Sequence, residues 1–218
     1  MTVEFPHLDL SADEVLTTTR SVRKRLDLDR PVPLEVVTDA LEVALQAPSG
    51  SNLQGWHWIV LTDPEPKKIV AEYYRKSYTA YAAAGAAVRQ AKPPKDADTA
   101  EKVASSATYL AEVMEQVPVL VIGAIHVPGG QMPEGNQAGL WGSLLPAAWS
   151  FALALRERGL GSAWTSLHLE YEREVAEALG VPPSIRQGVL LPVAYTKGTD
   201  FKLAKRAPLD TVLHVNKW

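Results

Sequence analysis

The chain has 218 residues, 46% of them hydrophobic and 22% charged, with a formal net charge of −3 and no cysteine. That size and balance suit one globular domain able to bury a sizeable core. They exclude disulfides and thiolate-ligated metal centres, and they supply no global electrostatic drive toward nucleic acid or an anionic membrane.

The first ten residues, MTVEFPHLDL, lack a basic-then-apolar leader, so a cytoplasmic protein is expected. Ser11-Ala-Asp-Glu14 is a capping box that starts a helix running to about Thr18. A second helix opens at Pro33, carries Leu34, Val37, Leu41, Ala44 and Leu45 on one face, and stops at Pro48. Trp56 to Leu61 is β-branched and aromatic, as a strand requires. A longer helix is predicted from Glu65 into an alanine-rich stretch, broken by Lys92-Pro-Pro-Lys-Asp96, and another over Ala100 to Glu115. Val117 to Val127 reads as a buried strand, and Pro128 to Gln137 as a Gly/Pro-rich loop. The uncharged stretch Gln137–Leu155 contains Gly139, Gly142, Ser143, Pro146 and Ser150, too polar and interrupted for a membrane span. It is expected to be a buried helix at a subunit interface, ending near Arg158. Gly159-Leu-Gly161 then turns the chain into a short strand ending near Thr165. A helix over 171–180 follows, then a buried strand over Val189 to Tyr195, and an extended tail from Pro208 to Trp218. Strands set between helices, with no repeat or linker, predict a single α+β domain in which helices wrap a central sheet.

Two segments carry candidate chemistry. Arg20-Ser-Val-Arg-Lys-Arg25 places four cations within six residues. It is either a solvated basic corner or a phosphate cradle of guanidinium groups and a hydroxyl. Pro48-Ser-Gly-Ser-Asn-Leu-Gln54 is either a plain turn or a set of polar groups able to read the edge of a heterocycle.

These segments in this order, RSVRKR, a Pro-Val-Pro helix start and APSGSNLQGW before a strand, resemble the nitroreductase family of FMN-dependent oxidoreductases. GLGSAWTSLHL after the uncharged helix, and Lys205-Arg206 before Pro208-Leu209, extend the resemblance from Arg20 to the C-terminus. It implies a three-layer fold with a central mixed or antiparallel sheet, and a homodimer with FMN at the subunit interface. By the same resemblance Arg20, Ser21 and Arg23, with Lys205 and Arg206, hold the FMN phosphate and ribityl chain. Pro48, Ser49, Gly50, Asn52 and Gln54 come from the other subunit. Ser166, Leu167 and His168 lie against the flavin ring with a backbone N–H near N5, and the C-terminal tail embraces the partner. Thr19, Arg25 and Gly55 depart from the family pattern, where an arginine, an aromatic residue nearby and a proline are common.

No side chain is expected to act as a catalytic acid or base. The five histidines, His7, His57, His126, His168 and His214, lack metal-ligand spacing, no serine sits in a nucleophile elbow, and Gly159-Leu-Gly161 lacks a third glycine. A flavin enzyme dispenses with such groups, because the cofactor carries the redox chemistry. The resemblance implies ping-pong hydride transfer from NADH or NADPH to an electron-poor acceptor such as a nitroaromatic or a quinone. The segments 92–99 and 128–137 would roof the acceptor pocket, with Trp141 and Tyr74 as stacking candidates or as plain core. A reductive dehalogenase or flavin-destroying enzyme on the same fold, and a non-catalytic flavin-storage protein, are the alternatives.

Overall fold

A computed structural model describes residues 6–91 and 96–218. The elements in chain order are α1 (Ala12–Thr18), α2 (Leu34–Ala44), β1 (Trp56–Leu61), α3 (Pro64–Ala91), α4 (Ala97–Val113), β2 (Val119–His126), α5 (Ala138–Glu157), β3 (Leu160–Ser162), α6 (Glu172–Ala178) and β4 (Ile185–Tyr195). The sheet order is β1-β2-β4-β3, and every paired strand runs antiparallel. This settles the mixed-or-antiparallel expectation in favour of antiparallel. The one parallel contact among the described residues outside the sheet strands is an isolated bridge from Ser21 to Ser162.

Three layers follow from strand alternation. Val119, Val121, Val189, Leu191 and Val193 face α2 and α5, while Leu120, Ile122, Leu190 and Ala194 face α3, α4 and the residues before β2. Because helices cover both faces, β2 has no polar face and reads as a continuous apolar run despite being antiparallel. The predicted starts and stops hold for α1, whose Ser11–Glu14 capping box is complete, and for β1. β4 begins at Ile185, four residues earlier than expected. Gly188 has no partner where the β2–β4 register shifts between Gly123 and Ala124, and that bulge broke the apolar pattern. β3 ends at Ser162, and Thr165 rejoins the sheet through a separate bridge to Leu190. The part of the expected lid at 92–95 lies outside the described residues, and 97–99 are the first turn of α4, capped by Asp96.

α5 is long and apolar enough to cross a membrane by length and composition. Here it is a core helix: Leu144, Ala147, Ala148, Phe151 and Leu155 are fully or almost fully buried against the sheet and α2. Its far end is tied down by Arg158, whose Nε donates to Asp39 Oδ2 of α2 at 2.6 Å. Its outward side, with Gly139, Gly142 and Trp149, is open.

The segment after α1 lies across β3. Val22 N–H donates to the Ser162 carbonyl at 2.8 Å, and Asp27 N–H to the Tyr195 carbonyl at 2.8 Å. Gly161 permits the approach, since a Cβ there would stand 2.7 Å from Thr196 Cγ2 and 2.9 Å from Val22 Cβ. We therefore expect Gly161→Ala to cost about 1–3 kcal/mol in urea unfolding, through overpacking. It should also raise backbone hydrogen exchange over 20–26; an unaltered exchange pattern would show that the contact does not hold that segment.

Candidate functional site

The first half of the candidate site forms at the β3 edge. Arg20 Nη2 donates to the Lys202 carbonyl at 2.6 Å, which brings the segment 20–25 beside the segment 197–206. Arg25 reinforces this junction: Nε donates to the Lys197 carbonyl at 2.9 Å, and Nη2 pairs with Asp200 Oδ1 at 3.1 Å. Phe201 lies under two guanidinium groups, Arg25 at 4.1 Å and Arg156 at 5.0 Å from its ring centre. The basic run thus meets the segment 197–202, which leads directly into Lys205-Arg206. Among the described residues no carboxylate forms an ion pair with Arg20, Arg23, Lys205 or Arg206. Ser21 is exposed, Arg23 half-buried, and Lys205 and Arg206 exposed. Unpaired cations beside a hydroxyl fit a phosphate dianion by their donor chemistry.

The segment 165–168 adjoins this corner. Thr165 N–H and C=O both bond to Leu190, and Ser166 is exposed, with Leu167 half-buried against the core. His168 departs from the expectation that it lies against a ligand ring: its imidazole is 0% exposed, inside the protein. Neither ring nitrogen has a hydrogen-bond partner, and Gln187, whose Oε1 is also unpartnered, approaches without closing a bond of good geometry. Burial pulls the imidazole pKa from 6.5 down to about 4, against the opposing pull of Gln187 and Glu172, so it is neutral at pH 7. Glu172 is engaged by Arg186, whose Nε donates at 2.8 Å, and by the Gln187 N–H at 3.0 Å. Burial alone would raise that carboxyl, but these donors hold it below the usual carboxylate value.

The second half lies at the opposite edge, in the turn before β1. Gly50 N–H donates to Ser143 Oγ at 2.9 Å, Trp56 Nε1 donates to the Ser143 carbonyl at 2.6 Å, and Gln54 N–H donates to Ser49 Oγ at 3.1 Å. Gln54 Nε2 also donates to Asn52 Oδ1 at 3.0 Å. Ser51, Asn52 and Gln54 all have φ of 50–53°, a left-handed conformation costly for residues with a Cβ. This concentration of strain in an exposed polar loop is more than a plain turn needs. The loop borders a cleft of about 540 Å³ walled by Leu53, Ile125, His126, Leu140 and Ser143. Pro48 stands outside it, in a separate groove against α5.

The two halves are not brought together within one chain. One lies at the β1 edge and the other at the β3 edge of a four-stranded sheet, about three strand spacings, or roughly 14 Å, apart at least. Of the stacking candidates, Tyr74 is buried core and Trp141 is half-buried, its Nε1 held by Gln137 Oε1 at 2.9 Å. No group of three or more potential metal ligands occurs among the described residues. Ser143, Asp200 and Phe201 are the supporting residues that sequence reasoning missed. A hydroxyl in the otherwise apolar, uncharged helix, which also carries Ser150, was the available signal for Ser143.

The profile of the Nitroreductase family matches residues 16–195, and the chain belongs to that family. Rat (Rattus norvegicus) iodotyrosine deiodinase 1 is 26% identical over 203 residues, covering 92% of this chain and 67% of the relative. A crystal structure of oxidized iodotyrosine deiodinase bound to FMN and 3-iodo-L-tyrosine superposes with a TM-score of 0.69 at 21% identity, covering 94% of this chain and 98% of that one. The FMN- and NADPH-dependent nitroreductase NfnB from sphigopyxis sp. strain HMH gives a TM-score of 0.68 at 22% identity, covering 96% and 100%. These likenesses establish a nitroreductase-like α+β fold.

The buried neutral His168 has a consequence for stability. An unfolded chain takes up its proton near pH 6.5 and the folded chain only near pH 4, so stability is full above pH 6.5 and falls as pH drops through that window. The loss reaches about 3 kcal/mol. Urea midpoints measured from pH 7 to 4.5 should fall less steeply for His168→Leu than for the native chain; parallel slopes would mean the imidazole is not shielded.

Proposed function

We propose that the protein is an FMN-dependent oxidoreductase that passes electrons from NAD(P)H to an electron-poor acceptor such as a nitroaromatic or a quinone. The observation that carries this reading is the meeting of the basic run with the segment that leads into Lys205-Arg206, while Arg20, Arg23, Lys205 and Arg206 form no ion pair among the described residues. Family membership supports the flavin assignment, and the NADPH-dependent relative supports the donor.

In this reading Arg23, Lys205 and Arg206 grip the FMN phosphate, with Arg20 anchored on the Thr19 and Lys202 carbonyls and Ser21 adding its hydroxyl. The backbone of 165–167 faces the ring, and Ser166 and Leu167 act through main-chain groups, with His168 buried behind them. The bound flavin supplies two-electron chemistry, so the protein needs no catalytic acid or base. Its part is to fix geometry, exclude water and aim N–H donors and positive charge at the developing anion.

Completion of the site requires a second copy of the chain. Ser49, Gly50, Asn52 and Gln54, with Pro48 at the base of their loop, would reach the flavin from the partner, because within one chain they lie at the wrong sheet edge. The open side of α5 and the exposed apolar tail, with Leu209, Val212, Val215 and Trp218 uncovered, supply surface for a homodimer. The setting proposed for this enzyme is the cytoplasm. Reductive dehalogenation is the second reading, favoured by the rat deiodinase matching 92% of this chain.

The purified protein should be yellow, bleach under anaerobic NADPH or NADH, and recover its colour on addition of a nitroaromatic or quinone. Recovery with 3-iodotyrosine alone would select dehalogenation, and a protein that never bleaches would select storage. Arg23→Ala and Arg206→Ala should each weaken FMN binding about tenfold or more, as loss of a charge-assisted phosphate contact does. Unchanged affinity in both would remove the phosphate assignment.

A further inference from the structure

Arg156, in the last turn of α5, is only 6% exposed, yet among the described residues no carboxylate forms an ion pair with it. The carboxylates near it are committed elsewhere. Glu157 accepts the Leu10 N–H at 3.2 Å, and Glu14 accepts the Ser11 N–H at 2.8 Å. Burial pulls the Arg156 guanidinium below its usual pKa, Glu157 and Glu14 oppose that pull, and the nearby Arg25 adds to it. An arginine stays charged even so, and a buried charge without a counter-charge is costly.

Duty at the helix end does not account for Arg156. Arg158 fills that role, with Nη1 on the Ala154 carbonyl at 2.8 Å and Nε on Asp39. Arg156 reaches across to α1 instead. Its Nε and Nη2 both donate to Thr18 Oγ1, at 3.3 and 3.2 Å, and its guanidinium stands 5.0 Å from the Phe201 ring centre. Thr18 Oγ1 accepts both, because its own proton goes to the Glu14 carbonyl.

These two contacts fall beside the two anchors of Arg20. Arg20 Nη1 donates to the Thr19 carbonyl at 3.0 Å, and Nη2 to the Lys202 carbonyl at 2.6 Å. Thr18 immediately precedes Thr19, and Phe201 immediately precedes Lys202. One buried guanidinium therefore touches both segments at the points from which Arg20 is held.

We propose that Arg156 is a positioning residue of the phosphate corner, acting through Thr18 and Phe201 to set Arg20 and the segment that leads into Lys205-Arg206. This rests on the flavin reading above. The group it serves is the phosphate, so it raises affinity for FMN over riboflavin, which lacks that group.

The test titrates FMN and riboflavin, followed by flavin fluorescence, into the full-length chain stripped of flavin. It compares the native protein with Arg156→Met, Arg156→Lys and Thr18→Val. FMN affinity should fall about threefold to tenfold in Arg156→Met, with riboflavin affinity unchanged. Arg156→Lys keeps the charge without the planar fork, so its loss should be smaller and confined to FMN. Thr18→Val should lose part of the FMN affinity, and should add nothing in the Arg156→Met background, where the contact is already gone. An unchanged FMN-to-riboflavin ratio would overturn the proposal, whether both affinities hold or both fall together. Additive losses in the double variant would overturn the route through Thr18. If Arg156→Met does not fold, Arg156→Lys and Thr18→Val decide by the same ratio. A native chain that binds FMN no better than riboflavin would overturn the phosphate reading of the corner instead.

Discussion

The candidate site depends on how closely the segment after α1 can lie on β3. Gly161 has no side chain, so Val22 reaches the Ser162 carbonyl and the basic run is laid along the sheet edge. From that single approach follow the bridge at Ser21, the position of Arg23, and the reach of Arg20 and Arg25 to the segment 197–206. Asp200 and Phe201 are consumed in holding Arg25, and among the described residues the neighbouring Arg20 and Arg23 form no ion pair with a carboxylate. One arginine is structural, and in the proposed reading the others bind an anion.

The opposite edge works by strain rather than charge. Three residues in left-handed conformations hold the loop 49–54 open beside an apolar cleft, and the hydroxyl and carbonyl of Ser143 secure it to α5. Each such residue costs about 1 kcal/mol or more, and a surrounding structure must over-determine it. α5 supplies that support because its other side is packed into the core. The long apolar helix therefore carries the loop at one end and leaves its outward side open, the surface proposed for a second chain.

Much of this was legible in the residues themselves. The capping box at Ser11, the strand at Trp56 and the apolar run of β2 are local signals, and the structure follows them. The basic run and Lys205-Arg206 were legible as chemistry, and only the family resemblance joined them, because the contacts that bring the run to the segment before Lys205 are backbone carbonyls at Lys197 and Lys202 that carry no sequence signature. His168 shows the reverse error. A polar residue beside an exposed serine reads as a surface group, yet the turn over Leu167–Tyr171 rotates it inward. The bulge at Gly188 hid the first residues of β4, since the alternation changes phase where one strand gains a residue.

The central claim is that each flavin site is built from two chains, one giving Arg23 and Arg206 and the other giving Ser49 to Gln54. Subunit complementation tests it most directly. One chain carries Arg23→Ala with Arg206→Ala and an intact loop; the other carries Asn52→Leu with Gly50→Trp and an intact basic corner. Each homodimer should bind little FMN, whereas unfolding and refolding an equimolar mixture should restore FMN binding and turnover, because each mixed dimer has one site assembled from two unmutated halves. Failure to recover, with each variant folded and mixed dimers confirmed by mass, would place the whole site within a single chain and contradict the account.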